Sequence, residues 1–175
     1  AADRMLRIAE DIKEKCGGKL NVVVATHRHA DHISGFARTS DGKGPGDVIR
    51  RLRPDVVLQP WTEQLDLTEN ATRPAGKRPQ SLSGARRQAL GHMNLLAQQF
   101  VDFAGNRANR LSPEIRSRLD FLGRDNVANV SAIENLATMG KKNIYSFFGY
   151  PRVLAKTLPG VKTHVLGPPT LEQTD

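Results

Sequence analysis

The feature that most constrains this chain is a short, almost wholly apolar run that ends in a cluster of histidines. Leu20-Asn21-Val22-Val23-Val24-Ala25 is β-branched, and it is followed at once by Thr26-His27-Arg28-His29-Ala30-Asp31-His32. A run of this kind reads as a strand buried on both faces, which is the setting of a parallel sheet. Parallel sheets need covered faces and crossover connections, so the chain must be α/β. In such sheets ligands gather at the C-terminal ends of the strands, where this polar cluster begins.

The surrounding pattern supports that reading. Met5, Ile8, Ala9, Ile12 and Cys16 recur at helical spacing, and Gly17-Gly18 stops the helix. Cys16 reads as a small apolar residue near the helix end. After the histidine cluster, Gly42, Gly44, Pro45 and Gly46 mark a loop. Asp47 then caps a short helix running to Leu52, and Pro54 closes it. Asp55-Val56-Val57-Leu58-Gln59 reads as a second buried strand. Strand, short helix, strand is a parallel βαβ unit with a right-handed crossover expected. Trp61-Thr62-Glu63 falls at the C-terminal end of the second strand, beside the cluster. Trp61 is assigned mainly to covering the core edge, with stacking on substrate as the other reading. Glu63 is a candidate polar substrate contact without a spacing partner.

Residues 60–82 read as a long loop. A helix over 83–103 carries an apolar stripe that includes Phe100 and Phe103, and Gly105 ends it. Further short helices are predicted from Ser112-Pro113 to Leu122, from Asn129 or Ser131 to Met139, and from Pro151 to Lys156. Strands are predicted over 143–148 and 161–166, and Tyr145, Phe147, Phe148 and Tyr150 are read as a core aromatic cluster. The length of 175 residues suits one domain with a real core. No apolar run approaches the roughly 18 residues of a membrane span. One cysteine rules out an internal disulfide framework. With no signal-peptide pattern at Ala1-Ala2-Asp3-Arg4-Met5, a cytoplasmic location is expected.

Charge is uneven. The net charge is +8, and the stretch from Arg73 to Arg124 holds ten Lys/Arg against Asp102, Glu114 and Asp120. A solvated surface is the ordinary explanation, and attraction of an anionic substrate or a nucleic-acid backbone is the functional one. Few aromatics interleave these charges, which argues against a dedicated single-strand binder. Residues 42–46 lack the Gly-Lys-Ser/Thr of a phosphate-binding loop.

The histidine cluster carries the chemistry. His27 and His29 alternate onto one side of an extended segment, and neutral imidazoles suit zinc, iron or manganese. Asp31 and His32, at a strand-to-helix turn, can serve a neighbouring position. Leaving such groups buried without metal or hydrogen bonds would be costly. His92, at the edge of a helical apolar stripe, reads as a core-edge histidine. His164, in a predicted strand, is a weaker ligand candidate.

His27-x-His29-x-Asp31-His32, following an apolar strand and followed by Ile33-Ser34-Gly35-Phe36, resembles the HxHxDH signature of the metallo-β-lactamase superfamily. The resemblance implies a partial αββα sandwich over residues 1–175. It also implies a dinuclear site of two divalent ions, zinc or else iron or manganese. His27 and His29 would bind the first ion, and Asp31 and His32 the second. Metal-activated water would attack the substrate, with Asp31 as the catalytic residue that orients it. The absence of a motif cysteine is similar to the wider hydrolase branch of phosphodiesterases, nucleases, thioesterases and lactonases. The basic stretch favours an anionic ester or nucleic acid over a neutral β-lactam.

The chain departs from the family pattern in having no initial β-hairpin. It also has no convincing match to the third histidine, the bridging aspartate or the final histidine. A longer enzyme is therefore expected, its remainder, in the same or another chain, completing the sandwich and the metal shell. Two alternatives stand beside the hydrolase: a non-catalytic metal-binding or interaction domain that kept the motif, and a basic nucleic-acid-binding module in which the motif is incidental.

Overall fold

The computed structural model describes residues 2–65, 67, 70–75, 99–106, 109–126 and 129–174. The elements among them run α1 (Ala2–Lys15), β1 (Val22–Val24), α2 (Ala30–Ile33), α3 (Pro45–Arg51), β2 (Val56–Pro60), α4 (Pro113–Asn126), α5 (Val130–Thr138) and β3 (Lys142–Ser146). Short 3-10 turns follow α2 (Ser34–Phe36) and β2 (Trp61–Glu63), and a third lies at Leu171–Gln173. Residues 99–105 are also helical. The three strands form one parallel sheet in the order β1-β2-β3. Val22 pairs with Val56, and Val56 in turn with Lys142. The protein is thus α/β, with the expected parallel strand–helix–strand unit at the motif.

Strand alternation distributes the core. Val23 and Val57 point to one face, where they meet Ala9 of α1, Val48 and Ile49 of α3, and Ile133 and Leu136 of α5. Val57 is fully buried, and each such aliphatic side chain stabilises the fold by about 1.5–3 kcal/mol. Val56 and Ile144 point to the other face, against Val153 and Leu154, with Val22, Leu58 and Val165 partly buried beside them. Helices cover the first face. Among the described residues, irregular chain after β3 covers the second, and the first correction concerns β1. β1 was expected to be buried on both faces, but it spans three residues at the edge of the described sheet, and Val24 is 56% exposed.

Helix ends follow the sequence closely. Gly17 and Gly18 adopt φ of +57° and +76°, the left-handed conformation that ends a helix. Asn129 caps α5 by accepting a hydrogen bond from the Ala132 N–H. The Ser112 hydroxyl accepts from the Ile115 N–H at the start of α4, which runs past the expected end at Leu122. Asp47 caps α3 from its third position, not as the preceding residue: its carboxylate accepts from the Gly44 N–H at 3.2 Å. Gly46 has to be glycine, because a Cβ there would overlap the Phe36 carbonyl.

Other expectations fail for identifiable reasons. Within α1 the inward face is Leu6, Ala9 and Ile12, while Ile8 and Cys16 are exposed. The segment after Pro151 forms hydrogen-bonded turns instead of a helix, with Arg152 at a left-handed φ of +46° that a helix does not admit. Residues 161–166 have no assigned regular structure and join no strand of the described sheet, and Leu166 is 83% exposed. In the 99–105 helix Ala104 is the buried residue, whereas Phe100 and Phe103 are exposed. Phe148 is half exposed too, although Tyr145 is buried and Phe147 stacks edge-on against Tyr150. Most of the 83–103 helix, including His92, and residues 76–82 of the long loop lie outside the described residues.

Candidate metal centre

The parallel pairing of β1 with β2 builds the site. The Ala25 N–H donates to the Leu58 carbonyl at 3.0 Å, extending the pairing one residue beyond β1. The chain then stays extended through His29, which begins α2: its carbonyl accepts from the N–H groups of His32 and Ile33. Ile33 is 1% exposed and pins this turn to the core. Gly35 packs against α1, where the movable end of Met5 lies 2.8 Å from the position a Cβ would take.

Three of the four expected ligands are brought together as a ring cluster. The His27 ring lies 4.0 Å from His32 and 4.7 Å from His29 between centroids, and His29 and His32 are 6.4 Å apart. The Thr26 hydroxyl sits 3.0 Å from His27 Nδ1 and so fixes one ring nitrogen. Asp31 Oδ2 is 3.4 Å from His32 Nε2, both side chains being substantially exposed. All four therefore occupy one turn at the sheet's C-terminal edge. Their donor chemistry, imidazole nitrogen plus carboxylate oxygen, fits a zinc-, iron- or manganese-type ion. Their rotamers do not yet converge: among the described residues, no three His, Cys, Asp or Glu side chains are grouped to hold one ion.

A fifth residue belongs to this neighbourhood. Glu63, on the turn after β2, is brought beside the motif because β1 and β2 are adjacent and parallel. Its Oε2 is 3.2 Å from Arg28 Nε, and the side chain is only 14% exposed. The approach is an ion-pair contact out of line for a hydrogen bond, so this buried oxygen has no hydrogen-bond partner. Burial pushes the Glu63 carboxyl above its ordinary value, and the charges of Arg28, His27 and His29 partly oppose that. Along the sequence Glu63 has no partner at a telling spacing. Only its position at the end of the neighbouring strand signals the encounter.

Neighbouring residues hold the rim. Trp61 is buried and donates through Nε1 to the Pro169 carbonyl at 3.0 Å, so it closes the core edge. Gln64, 2% exposed, exchanges hydrogen bonds with both backbone groups of Ala75 and ties the following loop to the turn. His164 is not in a strand. It lines a cavity of about 440 Å³ that reaches Thr26, Gln59 and Ser146 at the strand ends. Of the basic stretch, the described side chains are partly engaged: Arg118 pairs with Glu114, and Arg116 donates to the carbonyls of Ala104 and Asn109. Comparison of the chain with known protein families, curated proteins and solved structures returned no match.

Proposed function

We propose that the chain carries the histidine-rich half of a two-metal hydrolytic centre of the metallo-β-lactamase type. The reading is carried by one observation: three imidazoles and a carboxylate from six consecutive residues lie close together on one turn at the C-terminal end of a parallel strand, without yet converging on one ion position. His27 and His29 would hold one divalent ion, and Asp31 and His32 the other. Ions bound there would lower the pKa of water towards about 7 and offset negative charge developing on the substrate. Asp31, the most exposed of the four, would accept a hydrogen bond from that water and orient it. Thr26 keeps His27 in one ring orientation, as partners beyond the ligands do in metal sites. The sandwich fold of that superfamily is part of the same proposal, and the parallel α/β sheet is compatible with it. The substrate class proposed is an anionic ester, phosphodiesters included.

Elemental analysis after dialysis against zinc, iron or manganese tests the reading. About two ions per chain, with occupancy of the first reduced in His29→Ala, support it. No stoichiometric metal in the unaltered protein overturns it. Metal binding without turnover on phosphodiester, thioester, lactone and β-lactam substrates would favour a metal-binding domain that is not catalytic.

A further inference from the structure

A second cavity, of about 650 Å³, lies between the turn after β3 and the segment 161–166; it shares His164 and Val165 with the cavity at the strand ends, but none of residues 26–32 lines it. That volume falls within the roughly 300–1,000 Å³ typical of small-molecule sites. Its walls are held together by backbone hydrogen bonds, from the Gly149 N–H to the Val165 carbonyl at 3.0 Å and from the Phe148 N–H to the Pro168 carbonyl at 2.8 Å. Phe148, Tyr150 and Val161 supply apolar and aromatic surface, and Phe148 and Val161 are half exposed to the cavity and solvent. Arg152, Lys162 and His164 line it as well, and among the described residues no carboxylate does. None of these three side chains has an ion-pair partner among the described residues. Arg152 is also held at φ +46°, a conformation that non-glycine residues rarely keep without a local reason.

The geometry points to a binding site for an aromatic phosphate monoester of mononucleotide size. The argument is complementarity. Two unpaired cations and an imidazole beside an aromatic wall suit a ligand with a flat body and a compact dianion. Arginine matches phosphate oxygens through paired N–H donors, and lysine adds a point charge. A single carboxylate would leave part of that positive charge uncompensated, and an uncharged ring would leave all of it. The ring stacks on Phe148 or Tyr150, while the phosphate lies among Arg152, Lys162 and His164. Binding there needs no metal and no bond is made or broken.

Isothermal titration of the 175-residue chain with adenosine monophosphate, adenosine and inorganic phosphate, at low ionic strength and without metal, tests this. Adenosine monophosphate is expected to bind more tightly than either of its parts. The paired substitution Arg152→Gly and Lys162→Gln should weaken it by at least about tenfold and leave adenosine unchanged. Glycine accepts φ +46° without strain, so the fold is retained, and circular dichroism checks this. Phe148→Ala should weaken both adenosine and the monophosphate. Equal affinity of adenosine and its monophosphate, phosphate alone binding as tightly, unchanged affinity in the paired variant, or no binding at millimolar ligand would each overturn the assignment.

Discussion

Arg28 and Glu63 meet at 3.2 Å across the ends of two adjacent parallel strands, and the pair joins the middle of the histidine motif to the turn after β2. The carboxylate is the buried partner and the guanidinium the exposed one. Removing the cation should therefore cost more than its surface position suggests. Arg28→Ala is expected to destabilise the fold by about 1–3 kcal/mol, since it leaves a buried carboxylate unpaired. Glu63→Gln in the same background should recover most of that loss. Urea denaturation of the two variants checks it, and equal stability of both would show that the pair contributes nothing.

The same carboxylate gives a pH signature. Its folded-state pKa is raised above the ordinary 4.5, so the folded state holds the proton more tightly than the unfolded chain does. Its contribution to stability is full below about pH 4.5 and is lost as pH rises through the elevated folded value. Relative to Glu63→Gln, the unaltered protein should lose stability across that window on going up in pH. Thermal melts of the two proteins between acid and neutral pH measure the difference.

Asp47 predicts the opposite slope. Burial pushes its pKa up, but the Thr39 N–H, the Arg38 guanidinium at 2.9 Å and the Gly44 N–H outweigh that and hold it below 3.8. This stability is present above pH 3.8 and lost as pH falls through the lowered value. Asp47→Ala is expected to cost about 2–3 kcal/mol at neutral pH, from the lost cap and the donors left unpaired. Asp47→Asn should flatten the acid limb of the stability curve. An unchanged acid limb in Asp47→Asn would count against this account.

Gly46 offers a steric test. The added methyl of Gly46→Ala overlaps backbone, not a movable side chain, so a loss of about 3 kcal/mol is expected. Gly105→Ala, where a Cβ meets nothing within 4 Å, serves as the neutral control. A melting temperature equal to that control would contradict the packing described for α3.

Metal content separates the proposed ion positions. His27→Ala should reduce occupancy of the first ion and Asp31→Ala that of the second, each leaving about one ion per chain. On the proposed mechanism, Asp31→Ala should also abolish turnover, because it removes the residue proposed to orient the water. Equal metal content in Asp31→Ala and the unaltered protein would remove Asp31 from the ligand set.

The sequence made legible what local chemistry decides. The β-branched run at 22–24 and the mostly apolar run at 56–60 form parallel strands, and Gly17, Ser112, Asn129 and Asn143 lie close to where elements begin or end. The histidine spacing placed three rings within contact distance. What it hid was decided by long-range packing. Ile8 and Leu6 are both apolar, and packing against the core is what turns Leu6 inward. The Asp47 network draws on Arg38 and Thr39, and Asn135 reaches the carbonyls of Phe36 and Gly46. Nothing in the spacing of those residues announces these contacts. Residues 161–166 carry strand-like composition, yet composition does not say whether a neighbouring strand is there to receive them.

The all-parallel sheet has a kinetic consequence. Its register joins residue 22 to residue 56 and residue 56 to residue 142, so no strand can pair with a near neighbour in sequence. Closing such long loops before any pairing is rewarded makes for slow folding. During synthesis β1 and β2 emerge long before β3, and β2 must wait with one edge open. The bare edge of β2 is then the point at which a nascent chain is most exposed to aggregation.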